Sequence, residues 1–280
     1  MKEEIKKMIK FTKTESNSIS QNGKCTIYLS PNYAEIVSTT REPKPFNYKR
    51  QPGNKYLNTK TGETFEFSKE VTDEKIRDSR RHTFKRFELL TRINVTGGHS
   101  EVFVTLGYDC IMSDIKRFNE NFTSFCRKIK KKYNGCKYIA IVEYKGNKSL
   151  HVHMLIKSAE NKRLFLDRDE LIKLWGQKSV YIKRIPTTSD VERLIKYLNP
   201  FSNKNKQERL KWYNKNFNIF RHSQNIEKPK VLKDSVSNAW ELMREYNFKI
   251  YEICSFSVIG QLDDGTEIKL NNIQKMKFTK

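Results

Sequence analysis

The chain has 280 residues, enough for one large domain or two smaller ones with real cores. Hydrophobic residues make up 36% and aromatic residues 12%, which argues against a disordered chain, and no apolar run approaches the roughly 18 residues of a transmembrane helix. Lysine and arginine number 55 against 32 acidic residues, a formal charge of +23 spread along the whole chain, so the expected partner is a polyanion, nucleic acid before membrane.

The start, Met1-Lys2-Glu3-Glu4-Ile5-Lys6-Lys7, lacks the apolar core of a signal peptide. Five cysteines (Cys25, Cys110, Cys126, Cys136, Cys254) are scattered with no Cys-x-x-Cys pair, which fits reduced thiols in a cytoplasmic protein rather than a zinc finger or disulfide framework. Residues 1–75 carry turn formers such as Lys44-Pro45 and Gln51-Pro52-Gly53-Asn54, with one short candidate strand at Cys25–Leu29. They read as the loosely structured part of a basic N-terminal extension, 1–95, that ends in a helix near 75–92. In that helix Arg77, Arg80, Arg81, Lys85 and Arg86 interleave with Phe84, Phe87, Leu89 and Leu90. Such a helix could lie along phosphates, with Arg80, Arg81 and Lys85 as DNA contacts, or present a solvated face.

From residue 96 to about 204 the pattern sharpens. Residues 101–108, Glu-Val-Phe-Val-Thr-Leu-Gly-Tyr, predict a strand by their β-branched and aromatic content. A helix follows over 113–133: Ile115, Phe118, Phe122, Phe125 and Ile129 recur at spacings of 3 and 4, with Ser113 as N-cap and Asn134-Gly135 as the stop. Strands 137–144 and 150–156 are joined by a short turn, which predicts a hairpin. A helix over 167–175, a strand over 179–185 and a helix that starts near Thr188-Ser189-Asp190 and ends before Pro200 complete the order. The expectation is an α+β layer, an antiparallel sheet with helices on one face. After Pro200 the chain is lysine-rich to about 215, and residues 205–280 form a small accessory region. It has a helix over 234–246 and strands near 249–260 and 266–270, turned by Asp263-Asp264-Gly265.

The chemistry concentrates in the hairpin. Alternate residues of a strand share a face, so His151 and His153 point the same way. Glu143 lies across the turn and can reach the same point. Two imidazoles and one carboxylate, with positions left open for water and phosphate, suit a catalytic divalent ion and a nuclease acting on DNA. Two histidines on a strand are also common as packing residues, and softness alone leaves the metal open. His82, His99 and His222 are isolated and read as surface or structural.

The His151-Val152-His153 motif resembles that of the HUH endonucleases, and residues 102 to about 200 resemble rolling-circle replication initiators (Rep proteins) of small plasmids and phages of Gram-positive bacteria. Phe103-Val104-Thr105-Leu106 is similar to that family's first motif. Lys137–Glu143 resembles the strand leading into the second, and Leu174-Trp175-Gly176 with Val180-Tyr181-Ile182 the segment beyond it. Ser223-Gln224-Asn225-Ile226-Glu227-Lys228-Pro229 looks like a stretch after the third. The resemblance implies five antiparallel strands with the metal site on the open sheet face, Mg²⁺ or Mn²⁺ as cofactor, and nicking of one strand at a replication origin. A tyrosine would become a 5′-phosphotyrosine and later return the strand. The family's third motif is Tyr-x-x-Lys on the helix after the last strand.

Here that helix carries Tyr197, but Pro200 stands three residues later. Either Tyr197 is the nucleophile with Lys196 or Lys204 supplying positive charge, or the register shifts, Arg193 and Lys196 stand in the tyrosine and lysine places, and Tyr197 is a packing residue. Tyr181, on the preceding strand, is the poorer candidate. Lys183, Arg184 and Arg193 are further DNA contacts. No Gly-x-x-x-x-Gly-Lys-Ser/Thr stretch is present, so no helicase of that class is encoded here; the resemblance implies a host helicase and a polymerase as partners, and a homo-oligomer is compatible with the chain. Competing readings are a relaxase or transposase of the same superfamily, a DNA-binding protein with a decayed site, and an RNA-binding module of similar sheet topology.

Overall fold

A computed structural model gives the fold and describes residues 6–14, 22–40, 48–66, 72–261 and 266–280. Two compact units emerge: Met1–Val71 with Pro229–Lys280, and Thr72–Lys228. The first unit begins with strands β1 (Lys6–Thr14), β2 (Lys24–Leu29), β3 (Tyr33–Thr39), β4 (Tyr48–Gln51), β5 (Lys55–Asn58) and β6 (Thr64–Glu66), the last three forming a small antiparallel meander.

The second unit then runs through helix α1 (Asp73–Asn94), β7 (Gly98–Leu106), α2 (Ile115–Lys132), β8 (Lys137–Tyr144), β9 (Leu150–Lys157), α3 (Arg168–Trp175), β10 (Val180–Ile185), α4 (Thr188–Leu198), α5 (Lys204–Arg209) and β11 (Phe220–His222). Its sheet has the order β10-β7-β9-β8-β11, with every neighbouring pair antiparallel. The α+β class expected from sequence is the one observed. Cross-strand partners share a face. One face therefore carries Val104, Ala140, Val142, Val152 and Met154, all fully buried.

Helix α2 covers that face with the predicted stripe: Phe118, Phe122, Phe125 and Ile129 are buried, and Phe122 meets Tyr138 edge-on at 6.1 Å. The N-cap is Asp114, whose carboxylate accepts from the Lys116 and Arg117 amides; a carboxylate competes better than the expected Ser113 hydroxyl for those donors. Helix α3 lies beside it: Trp175 packs at 84° to Phe125 and donates its indole N–H to the Gly107 carbonyl at 2.6 Å. Each such aromatic contributes about 1.5–3 kcal/mol by leaving water.

Helices also reach the opposite face, where only one face was expected to be covered. Phe87 of α1 meets Phe220 of β11 edge-on at 5.8 Å, and Tyr197 of α4 meets His153 at 5.8 Å. Phe220 pairs with Ile141, which pairs with His153, so both contacts fall on the histidine face. A forked ion pair fastens α1 to α4, the Arg92 Nε and Nη2 donating to the two Glu192 carboxylate oxygens at 2.8 and 2.9 Å. The α1–β7 turn braces the start of α4 through Thr188 Oγ1, which donates to the Thr96 carbonyl at 2.8 Å.

The chain then returns to the first unit as β12 (Lys230–Ser235), α6 (Val236–Glu245), β13 (Lys249–Gln261) and β14 (Glu267–Thr279). Its six-stranded sheet has the order β1-β13-β14-β3-β2-β12. Cys25, Ile27, Ala34 and Ile36 share a core with Val236, Ala239 and Met243 of α6 and with Met276 and Phe278 of β14. Residues read as a loose extension thus contribute strands, because the partners that bury them lie some 200 residues further along. Lys44-Pro45 and the Asp263-Asp264-Gly265 turn lie outside the described residues.

Candidate metal and phosphate site

The β8–β9 hairpin turns through Lys145–Ser149, closed by the Lys145 amide donating to Ser149 O at 2.9 Å and by Lys148 at φ 59. That turn fixes the register at Glu143 opposite His151 and Ile141 opposite His153. On the other side β7 places Thr105 opposite His153, and β10 places Tyr181 opposite Thr105. Glu143, His151, His153, Thr105 and Tyr181 therefore share one face.

The three side chains expected to ligate converge. His153 Nε2 lies 3.3 Å and His151 Nε2 3.9 Å from Glu143 Oε2, and the two Nε2 atoms lie 3.0 Å apart. Ligand atoms bound about 2.1 Å from one ion stand about 3.0 Å apart at right angles and about 3.4 Å apart tetrahedrally, so the 3.0 and 3.3 Å separations match a bound divalent cation and the 3.9 Å one needs a small side-chain adjustment of Glu143 or His151. Phe103 stacks on the His153 ring at 5.6 Å and 12°, and the Thr105 hydroxyl lies 3.1 Å from His153 Nδ1. A hydroxyl serves either tautomer: it accepts from Nδ1–H when Nε2 is free to ligate, and donates to Nδ1 when Nε2 carries the proton. His151 Nδ1 is buried without a hydrogen-bond partner.

Burial opposes ionisation of Glu143, but the His153 hydrogen bond and the Lys206 charge outweigh it and hold the carboxyl near 2. Burial, then the neighbouring His153, pushes His151 down to about 3. At neutral pH the pair is thus an anionic carboxylate beside a neutral imidazole, the protonation states ligands require.

Lys206 is the residue sequence reasoning missed. Its ammonium lies 3.2 Å from both Glu143 oxygens, donates to the Tyr197 carbonyl at 3.0 Å and sits 4.0 Å from the Tyr197 ring centre. Pro200 ends α4, Asn199 caps the next turn by accepting from the Phe201 amide, and Asn203 caps α5, so the chain doubles back and returns a lysine to the tyrosine it has just passed. Asn203, a good N-cap before a helix-forming run, was the available signal. Lys196 and Lys204, the lysines expected to supply charge here, are both exposed, and neither makes a contact with the triad; residues 196 and 197 diverge by about 100° around the helix.

A cleft of about 580 Å³ opens between this sheet face and α4. Tyr197 and Tyr181 line it, 54% and 59% exposed, with His151 and His153 at its floor. Lys145, Lys183, Arg184 and Arg193 surround it against one acid, Asp190, to which Arg193 is bound at 3.4 Å. Two of the expected DNA contacts, Lys183 and Arg193, therefore gather at the cleft, whereas Arg184 lines its edge from the opposite face of the strand and donates its Nη1 to the Leu164 carbonyl at 3.3 Å. The three on α1 do not. Arg80 gives its guanidinium to the Leu210 and Tyr213 carbonyls, which clamps the 210–213 turn, Arg81 pairs with Asp78 and lies over Phe201, and Lys85 is exposed. Burial and the Glu143 charge raise the Tyr197 phenol above its ordinary range.

Residues 101–205 match the family model of the replication-associated proteins of the ORF2 type, a match that supports a replication-initiator type of protein and an interaction with DNA. Among solved structures, the hypothetical protein ORF119 from Sulfolobus islandicus rod-shaped virus 1 is similar over 43% of this chain and 94% of its own, at 19% identity and a TM-score of 0.31. No curated protein matches the chain. Among the described residues no helix is long and apolar enough to cross a membrane.

Proposed function

We propose that the unit Thr72–Lys228 nicks and rejoins single-stranded DNA at a replication origin, in the manner of an HUH-type rolling-circle initiator, with Tyr197 as the nucleophile. The observation that carries the reading is the exposed Tyr197 phenol edge-on to His153, across a cationic cleft from the Glu143–His151–His153 donor set. Glu143, His151 and His153 would hold the divalent ion, and the imidazoles favour Mn²⁺ over Mg²⁺. When bound, that ion supplies Lewis acidity and charge stabilisation to a phosphate oxygen.

The chain's own residues do the remainder. Lys183 and Arg193 hold the strand by its phosphates. The Tyr197 hydroxyl loses its proton to solvent at the open mouth of the cleft, and its oxygen bonds to the scissile phosphorus. The phosphorus–O3′ bond breaks, and the leaving oxygen takes a proton to become the free 3′-hydroxyl. One ester replaces another, so attack by a 3′-hydroxyl reverses the step and rejoins the strand without external energy. Lys206 fixes the last turn of α4 and keeps Glu143 ionised.

One observation favours a second reading. An ammonium already neutralises Glu143, which suits a protein that binds origin DNA and does not cut it. Incubation of the purified protein with an origin-derived single strand and Mn²⁺ separates the two: a protein–DNA adduct stable to denaturant supports nicking, and binding without adduct supports the second reading.

A further inference from the structure

A larger concavity lies at the far edge of the same sheet, around β11. About 1060 Å³ in volume, it is bounded by α1, α2, β11 and the loop at 214–218. Arg221 and Tyr138 project to the α2 face, since Arg221 pairs with Ala140 and Tyr138 with Ile156, whereas the histidines project to the opposite one. The β11 edge is also the sheet edge remote from β10, which borders the cleft.

Its wall is built and its charge is uncompensated. The Arg221 guanidinium lies over the rings of Phe118, Phe122 and Phe217 at 5.0 to 5.7 Å and donates to Asn119 Oδ1 at 2.5 Å and the Asn218 carbonyl at 3.1 Å. It pins the loop to α2. Arg86, Arg127 and Lys130 stand around the opening, and no carboxylate lines it. None of these three cations has an acidic partner among the described residues, in contrast to Lys132 and Arg92, which are paired with Glu170 and Glu192. The amides of Asn214, Asn216 and Gln224 face the same space and can meet base edges or sugars.

We infer that this groove is a second nucleic-acid site, which holds a stretch of the DNA strand away from the phosphate that reacts. Unpaired cations supply phosphate affinity, and the exposed amides supply hydrogen bonds that an anion alone would not need. That the polyanion is DNA rests on the reading of the cleft. The groove's existence as a separate site does not, since no residue is shared between the two linings.

The test compares two double variants of the full chain with equal charge change, Arg127→Glu with Lys130→Glu in the groove and Lys173→Glu with Lys178→Glu on exposed positions outside both linings. Binding of a labelled single-stranded oligonucleotide is followed by anisotropy across a salt series. The groove pair should weaken binding at least tenfold and flatten the salt dependence by about 1.4, from about 0.7 per phosphate contact on a single strand. The control pair should change affinity less than threefold. The milder Arg127→Gln with Lys130→Gln pair should shift affinity the same way with unchanged melting temperature. Equal losses from both reversals, or none from the groove pair, would overturn the inference, as would loss of binding to phosphatidylserine vesicles with binding to DNA retained. Adduct formation at saturating DNA should survive in the groove variants. A protein that forms no adduct in any variant, yet shows the groove effect, would sink the nicking reading and leave this one standing.

Discussion

The Lys206 ammonium lies 3.2 Å from each Glu143 carboxylate oxygen, and both side chains are largely out of water, at 14% and 13% exposed. A partly buried carboxylate that loses its cation keeps its desolvation cost, so Lys206→Met should destabilise the protein by about 1–3 kcal/mol. It should also slow adduct formation tenfold or more at saturating metal and DNA, because the α4 turn that carries Tyr197 loses its anchor. Lys204→Met should leave both unchanged. Single-turnover kinetics with melting curves check this; equal effects from the two variants would remove Lys206 from the account.

Thr105 tests the support behind His153 as a proposed ligand. Thr105→Val keeps the shape of the side chain and deletes the hydroxyl beside His153 Nδ1. Losing an outer partner of this kind typically costs 10–100-fold in metal affinity. Calorimetric titration with Mn²⁺ should show about that loss with the melting temperature of the metal-free protein nearly unchanged. An unaltered affinity would mean that Phe103 stacking alone orients the ring.

The depressed groups predict an acid-sensitive, metal-free protein. His151 stands at about 3 against an ordinary 6.5, and Glu143 at about 2 against 4.5. In each case the unfolded chain binds the proton first. The His151 contribution to stability is therefore complete above about 6.5 and lost as pH falls towards 3, and the Glu143 contribution is complete above about 4.5 and lost towards 2. In chelator, unfolding should become easier from pH 7 to pH 4, and His151→Gln should flatten that dependence. A variant with the wild-type slope would contradict the assignment.

Much of this site was legible before the fold was seen. Glu143, His151 and His153 were readable because a hairpin pairs residues at a constant sum of positions, and the short turn fixed that sum. The α2 stripe was readable because its partners are its own third and fourth neighbours. Lys206 was not, since its proximity to Tyr197 depends on a chain reversal at Pro200 within a lysine-rich run that has no periodicity. β3 was not either: its short apolar alternation gains meaning only once β14 lies beside it, some 240 residues along the chain. Arg80 misleads in the other direction, because a basic residue on a helix gives no local sign that two carbonyls from 210–213 wait for it.

Gly97 links the turn to α4, the helix that carries Tyr197. At φ 85 it approaches the Thr187 backbone so closely that an added Cβ would stand 2.4 Å from the Thr187 carbonyl carbon. Thr187 caps α4. Gly97→Ala should therefore cost about 2–4 kcal/mol in unfolding free energy and displace the start of that helix. Denaturant unfolding measures the first effect, and weakened adduct formation the second; a stability within about 0.5 kcal/mol of wild type would show that α4 yields freely there.

The central claim is that Tyr197 attacks a phosphate held over the Glu143–His151–His153 set. Its most direct measurement is a denaturing gel of wild type, Tyr197→Phe, Tyr181→Phe and His151→Ala after incubation with a labelled origin strand and Mn²⁺. The account predicts a covalent adduct for wild type and Tyr181→Phe, none for Tyr197→Phe and His151→Ala, and salt-sensitive binding retained in all four. An adduct formed by Tyr197→Phe would contradict it.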